Sequence, residues 1–128
     1  MTNVSTTRLS ALGQISMTAK DVTRATAFYR DRLGIRFLFE FPNLSFFDCG
    51  GVRLMISKPE KPEFDHPGSV LYFTVTDIET AHRDLAAKGV EFVEAPHLIA
   101  KLPDHELWMA FFKDSEGNTL ALMEEKRG

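Results

Sequence analysis

The stretch QISMTAKDV (residues 14–22) returns later in the chain as VLYFTVTDI (residues 70–78). Each stretch predicts a strand, and each contains an aspartate, Asp21 or Asp77, that can cap a following helix. Near the ends of the two copies, Leu54 corresponds in the same way to Leu120. Because self-similarity in this order is the signature of a duplicated unit, the chain is predicted to contain the same unit twice.

Each copy is predicted to be a βαβββ module. The helix begins after Asp21 and ends at Gly34 in the first module, and it begins after Asp77 and ends at Gly89 in the second. The predicted strands are residues 14–19, 35–41, 44–49 and 52–57 in the first copy, and residues 70–75, 90–95, 107–113 and 119–124 in the second. The chain is therefore predicted to be a single domain, made of module one (11–57), a linker (58–68) and module two (69–125).

Composition narrows the possible functions. The chain has 128 residues, enough for one domain with a core. Its formal net charge of −3 gives no electrostatic reason to expect nucleic acid as a partner. No apolar run approaches the roughly 20 residues of a membrane span, and no signal peptide is evident. The single cysteine, Cys49, cannot form an internal disulfide. We therefore expect a cytoplasmic protein without a nucleic-acid or membrane partner.

Two motifs resemble those of a known family. Module one contains Asp21-Val22, Ala27-Phe28-Tyr29 and Leu33-Gly34, and residues 114–120 read DSEGNTL. The first motif resembles the opening of the vicinal oxygen chelate superfamily, which includes glyoxalases, bleomycin-resistance proteins and extradiol dioxygenases. The second is similar to its closing D-P-x-G-N turn, with Ser115 in the place of proline. The resemblance spans residues 12–125 and implies an α+β fold: two tandem βαβββ modules form curved mixed sheets around a cavity, commonly in a homodimer.

The resemblance also implies where a divalent metal would be held. Metal-using members take one ligand from the first and one from the last strand of each module, positions that are Gln14, Met55, Val70 and Ala121 here. Only Gln14 offers a suitable oxygen, because Val70 and Ala121 have no donor and the thioether of Met55 prefers soft metals. No cofactor is expected on this basis, although a divalent metal at a non-standard site stays open.

Strand alternation predicts which side chains face the cavity. With Ile15, Leu54 and Leu120 in the core, the neighbouring residues on each strand point the other way. An apolar cavity with a few fixed polar groups is typical of sites for small organic molecules. The residues predicted to bind such a ligand are Gln14, Ser16, Arg53, Met55, Val70, Tyr72, Trp108, Ala121 and Met123.

The second module carries an additional polar segment, residues 96–106, that has no counterpart in the first. It contains His97 and His105, which could transfer protons or bind a metal. A polar turn leading into an apolar strand is the alternative interpretation. Because loops of this length are often lids, the segment is expected to cover the cavity mouth, and the candidate catalytic residues are His105, His97 and Tyr72.

Two hypotheses of function follow. The first is a metal-free module that binds a small organic molecule, in the manner of bleomycin-resistance proteins. The second is an enzyme, a glyoxalase-like lyase or isomerase or a dioxygenase-like protein, that uses His97, His105, Glu106 or Tyr72 or a non-standard metal site. A purely structural partner protein is a third possibility.

Overall fold

The first module forms one mixed sheet covered by one helix. A computed structural model of the chain describes residues 7–59 and 69–128; most of the predicted linker, residues 60–68, lies outside this part. The elements of the module are β1 (Gln14–Thr18), α1 (Val22–Ala27), β2 (Arg36–Phe41), β3 (Leu44–Cys49) and β4 (Val52–Ser57). The sheet order is β1-β4-β3-β2, with β1 parallel to β4 and the other neighbours antiparallel. The helix continues beyond α1 as a π-helical turn over Phe28–Arg32.

The second module repeats this arrangement. Its elements are β5 (Leu71–Thr74), α2 (Ile78–Ala87), β6 (Glu91–Lys101), β7 (Glu106–Lys113) and β8 (Thr119–Lys126). The sheet order is β5-β8-β7-β6, again with the outer first strand parallel to the last. This duplicated pair of sheets confirms the α+β, βαβββ fold predicted from the sequence. No helix in the described ranges is long and apolar enough to cross a membrane.

The aspartates placed before each helix act as predicted. The side chain of Asp21 accepts a hydrogen bond from the backbone N–H of Arg24 at 3.0 Å, and Asp77 accepts one from Thr80 at 3.1 Å. Each satisfies a donor that the helix itself cannot satisfy. Gly34 follows the first helix with a φ of 70°, a conformation that glycine adopts without steric cost. The helix boundaries are thus local consequences of the sequence.

The core lies between each sheet and its helix. Met17, Leu54 and Ile56 are buried under α1, and Leu120 and Leu122 are buried under α2. The alternate residues of the same strands point to the opposite side, which we call the open face. Period-two alternation therefore predicted the two sides of β1, β4, β5 and β8 correctly.

The additional segment of module two differs from its prediction. Residues 96–106 are mostly strand, because β6 runs through Pro96 to Lys101 and β7 begins at Glu106. Only residues 102–105 form the turn, closed by a hydrogen bond from Leu102 N–H to the His105 carbonyl at 2.8 Å. The expectation of a loop over the cavity mouth is therefore corrected to an extended β6–β7 hairpin. Register shifts along β6 absorb the irregular stretch around Pro96.

The closing turn of module two fastens the two modules together. Asp114 accepts a hydrogen bond from the buried hydroxyl of Tyr29 at 2.6 Å, and Asn118 donates its side-chain amide to the Thr18 carbonyl at 3.1 Å. The Glu116 carboxylate forms a two-pronged ion pair with Arg24, at 2.7 and 3.1 Å. Burial is the main cause that raises the pKa of Tyr29, and the charge of Asp114 is the second, so the hydroxyl stays protonated and acts as a donor.

Glu116 is expected to make stability depend on acid pH. Hydrogen bonding from Arg24 lowers the pKa of Glu116 from 4.5 to about 2 in the folded protein. A carboxyl whose pKa falls on folding contributes stability above its unfolded pKa and loses it as the pH falls through its folded pKa, here between about 4.5 and 2. We expect Glu116→Gln to lower the free energy of unfolding by about 1–2 kcal/mol at pH 7. The variant should also lose less stability than the wild type as the pH falls. Urea unfolding between pH 7 and pH 2.5 measures both; parallel profiles for the variant and the wild type would contradict the assignment.

Candidate functional site

An arginine, a glutamine and a methionine meet on the open face of the first sheet. Gln14 on β1 lies beside Arg53 on β4 in the parallel register, and Met55 follows two residues along β4. Arg53 Nε donates to Gln14 Oε1 at 2.9 Å, and Gln14 Nε2 donates to Met55 Sδ at 3.8 Å. The Arg53 guanidinium also lies over the Phe46 ring, 5.5 Å from its centroid. Arg53 is therefore held in place from two sides while remaining solvent exposed.

These contacts bear on whether the four positions expected to hold a metal could coordinate a divalent ion. Met55, Val70 and Ala121 offer no oxygen or nitrogen side-chain donor, and the oxygen of Gln14 already accepts a hydrogen bond from a cation. A divalent ion at Gln14 Oε1 would stand next to the Arg53 charge, which repels it. Across residues 7–59 and 69–128, no group of three or more His, Cys, Asp or Glu side chains is placed to hold a metal ion. The four carried-over residues do not fit the chelate.

Aromatic side chains cover the open face of the second sheet. Tyr72 on β5 and Phe111 on β7 flank Ala121 on β8 in the register, and their ring centroids are 6.1 Å apart at an angle of 81°. Ala121 is fully buried between them, although it belongs to the open face. Its small side chain lets the two rings meet. Tyr72 is 48% exposed, so one side of its ring is free to contact a ligand.

His97 joins this aromatic group. It pairs with Met109 across β6 and β7, and its ring centroid is 6.4 Å from that of Phe111. Its Nδ1 lies 2.8 Å from the Ala95 carbonyl, to which it donates in the corresponding tautomer. Its Nε2 is 3.4 Å from the Glu94 carboxylate. In that tautomer Nε2 is the ring nitrogen without a hydrogen, and it faces the Glu94 carboxylate.

His105 lies elsewhere. It stands in the β6–β7 turn, beyond the last pair of the hairpin, Lys101 and Glu106. Its Nδ1 is 2.8 Å from Asp104, its Nε2 is 3.8 Å from Glu125, and its side chain is 14% exposed. The hairpin therefore does not bring His105 together with His97 and Tyr72, and the three predicted catalytic residues do not form one constellation.

Trp108 is also separated from the other predicted ligand-binding residues. Since β7 alternates and Ala110 and Phe112 are buried under the helix, Trp108 shares their side. Its indole N–H donates to Glu106 at 3.1 Å, and Lys126 Nζ lies 4.5 Å from the ring centroid. Trp108, which was predicted to bind the ligand, thus lies on the core side of β7, away from the open face. The same alternation places Phe111, which was not among the predicted site residues, on the open face.

A groove connects the two modules at the ends of β4 and β5. Its volume is about 810 Å³, within the range of small-molecule sites. Arg53, Val70 and Tyr72 line it from the open face, and apolar side chains of the core margin line the remainder. Those apolar residues are Ile15, Ile35, Val52, Leu54, Leu71 and Phe73.

The groove also contains residues that the sequence analysis did not assign to a site. Arg36 is 3.9 Å from the Asp48 carboxylate, which accepts a hydrogen bond from Gly51 N–H at 2.9 Å. Cys49 lies on the groove wall, and burial, followed by the nearby Asp48 charge, raises the pKa of its thiol. A thiol in this state is a poor nucleophile. In the sequence, only the pair Gly50-Gly51 indicated a turn at this edge of the groove.

The remaining predicted side chains take the expected side. Ser16 is exposed on β1 and Met123 is partly buried on β8, both on the open face. Met123 pairs with Thr74 and Met109, in the row next to Tyr72 and Phe111. The predicted ligand-binding residues other than Trp108 therefore lie on the open faces of the two sheets. Only Arg53, Val70 and Tyr72 of this set line the groove.

Comparisons with known proteins agree with the fold. The family model of the Glyoxalase/Bleomycin resistance protein/Dioxygenase superfamily matches residues 11–122. The chain is similar to lactoylglutathione lyase from Agrobacterium tumefaciens (21% identity, TM-score 0.69), covering 92% of this chain and 96% of that one. A superfamily member from Sphaerobacter thermophilus is also similar (21% identity, TM-score 0.75), over 91% and 98% of the two chains.

A third similar structure is a glyoxalase/bleomycin resistance protein/dioxygenase from Nocardioides (20% identity, TM-score 0.72), covering 96% of this chain and 88% of that one. No curated protein matches the chain. Identities of this size show a common fold without a common substrate. The family match over nearly the whole chain, together with the two βαβββ sheets, shows that the chain belongs to the glyoxalase/bleomycin resistance protein/dioxygenase superfamily.

Proposed function

We propose that this chain binds a small organic molecule in the groove between its modules, without the divalent chelate of metal-using relatives. The observation that carries the proposal is the combination of an apolar groove of about 810 Å³ with a fixed polar group, Arg53 held by Gln14, on its wall. Apolar walls bury the body of a ligand, and a few fixed polar groups orient it. Tyr72 adds an aromatic surface that is half exposed.

The chemistry of the donor positions supports binding without a metal. A catalytic zinc ion is typically held by three protein ligands and keeps one position open for water or substrate. At the four corresponding positions, Gln14 is engaged with Arg53, and Met55, Val70 and Ala121 carry a thioether or hydrocarbon. Ala121 is moreover fully buried beneath Tyr72 and Phe111.

A ligand screen with a metal control tests this proposal. We expect thermal-shift hits among small apolar and aromatic compounds, and no more than a trace of Zn, Ni, Mn or Fe after metal loading and desalting. Val70→Trp should abolish the hits by filling the groove, whereas Val93→Trp, at an exposed site outside the groove, should keep them. About one tightly held ion per chain, or equal binding by both variants, would overturn the proposal.

An enzyme that transfers protons is the second candidate, favoured by the geometry of His97. Its Nε2 lies beside Glu94, at the edge of the aromatic surface that Tyr72 and Phe111 share. Any screened compound that binds can be incubated in deuterated water and examined for exchange of its C–H protons. Exchange that is lost in His97→Gln, with binding retained, would favour the enzyme. The homodimer and the cytoplasmic location implied above stay predictions.

A further inference from the structure

We propose that the molecule bound by this groove is an organic anion, a carboxylate with an apolar or aromatic body, and that Arg53 is its anchor. The inference rests on the proposed function, since it names the chemical class of the ligand for the same groove. It follows from the state of Arg53 in the fold. Three observations support it: a fixed guanidinium, unused donors, and a groove whose other charges are already paired.

The guanidinium of Arg53 is fixed before any ligand arrives. Its Nε donates a hydrogen bond to Gln14 at 2.9 Å, and its Cζ lies over the Phe46 ring, 5.5 Å from the centroid. Gln14 is itself steadied by Met55. Holding an arginine in one conformation removes part of the entropy cost that a flexible cation would otherwise incur on binding. The site is therefore preorganised for a ligand that approaches the free end of the side chain.

That free end keeps most of its hydrogen-bonding capacity. A guanidinium has five N–H donors, and that of Arg53 makes a single hydrogen bond within the described part of the chain. No carboxylate of the described residues lies within 4.0 Å of it. Two parallel N–H groups match the two oxygens of a carboxylate, and such charge-assisted pairs are about twice as strong as neutral hydrogen bonds. A carboxylate is thus the complementary partner.

The other two charged groups of the groove lie within ion-pair distance of each other. Arg36 and Asp48 face each other at 3.9 Å, and Asp48 also accepts the Gly51 N–H. Arg53 is consequently the lining charge left without a counterion in residues 7–59 and 69–128. The remaining wall, formed by side chains such as Val70, Tyr72 and Phe73, is apolar and suits a hydrocarbon or aromatic body.

This arrangement places a fixed positive charge beside Gln14, one of the four positions at which metal-using relatives place a ligand. A positive charge with free N–H donors is therefore present at this point of the fold, supplied by the protein itself. A guanidinium attracts and orients an anion without needing a coordination sphere. The charge of Arg53 thus gives a physical reason why anion binding is compatible with side chains at the other positions that carry no oxygen or nitrogen donor.

Matched pairs of acids and amides test the proposal. The probes are benzoate, phenylacetate, 2-naphthoate and cyclohexanecarboxylate, each compared with its neutral amide by calorimetry or ligand-observed NMR at 20 mM and 300 mM NaCl. We expect at least one acid to bind about ten- to hundredfold more tightly than its amide at low salt. The preference should shrink at high salt, because an exposed ion pair is screened.

Variants of Arg53 test whether this side chain causes the preference for acids over amides. In Arg53→Gln the acid-to-amide ratio should fall to about one, and Arg53→Lys should restore part of it. Arg83→Gln, which removes the same charge from the outer helix α2, should leave the ratio unchanged. Because the ratio compares two probes on one variant, a general loss of stability does not imitate the result.

Each outcome separates the two proposals. If acid and amide bind equally to the wild type, the anion inference is overturned and the proposed binding function stands. If the acids bind with a preference that Arg53→Gln retains, the anchor is another group and the inference is likewise overturned. If none of the acids or amides binds, and the broader screen also gives no hits, both the inference and the proposed function fail.

Discussion

Replacing Asp114 with alanine is expected to lower the free energy of unfolding by about 3–4 kcal/mol, because four hydrogen bonds converge on this one buried carboxylate. Its Oδ1 accepts the backbone N–H groups of Glu116 and Asn118, both at 2.8 Å. Its Oδ2 accepts the Tyr29 hydroxyl at 2.6 Å and the Asn118 side-chain amide at 2.8 Å. Alanine leaves the Tyr29 hydroxyl without its partner inside the protein, and the closing turn loses the group that organises it.

Module one supplies the matched control. Asp48 occupies the corresponding position of the repeat, but from the described residues it accepts only the Gly51 N–H, lies 3.9 Å from Arg36, and is one-third exposed. Asp48→Ala should therefore cost about 1 kcal/mol. Urea unfolding of both variants, followed by tryptophan fluorescence, measures the difference. Equal costs for the two aspartates would show that the contacts of Asp114 do not fasten the modules.

A double-mutant cycle isolates the contact between modules. Tyr29→Phe removes only the hydroxyl that donates to Asp114. If this hydrogen bond couples the modules, Asp114→Ala should cost less in the Tyr29→Phe background, because no buried hydroxyl is then left unsatisfied. Strictly additive costs would assign the effect of Asp114 to its own turn.

The fold could be predicted from the sequence because each local signal agreed with the duplicated pattern. Asp21 and Asp77 begin helices, Gly34 follows one, and residues 44–49 and 52–57 form strands with the predicted bounds. Alternation on β1, β4, β5 and β8 also separated core from open face. These signals act within a few residues or repeat with a fixed period, so they need no knowledge of the tertiary structure.

The site could be predicted only in part, because its geometry depends on contacts between distant strands. Pro96 in β6 suggested a loop, yet the pairing of β6 with β7 continues past it through register shifts. The separation of His105 from His97 depends on where the hairpin turns. Likewise, the pairing of Arg53 with Gln14 joins two strands whose parallel alignment the sequence does not state.

Replacing Phe47 with alanine is the second substitution expected to have a large effect, and it tests which side of β3 faces the core. It is fully buried, with its ring centroid 5.9 Å from that of Tyr29 and 5.7 Å from that of Phe37. Phe47→Ala removes a large side chain from this aromatic cluster and leaves a cavity. We expect a loss of about 3–5 kcal/mol in the free energy of unfolding, measured by urea denaturation. Carboxylate binding by the folded fraction should be unchanged, since Phe47 faces away from Arg53.

Its neighbour Phe46 should give the opposite pattern, because adjacent residues of a strand point to opposite sides. Phe46 lies on the open face, 4.7 Å from Phe39 and beneath the Arg53 guanidinium. Phe46→Ala should cost only about 1–2 kcal/mol of stability, while lowering the acid-to-amide preference severalfold because Arg53 loses its support. A large loss of stability in Phe47→Ala, together with a loss of acid preference in Phe46→Ala, would place the core and the ligand on opposite faces of β3. If Phe46→Ala destabilised the chain as much as Phe47→Ala and left the preference intact, that assignment would be inverted and Arg53 would not depend on the ring beneath it.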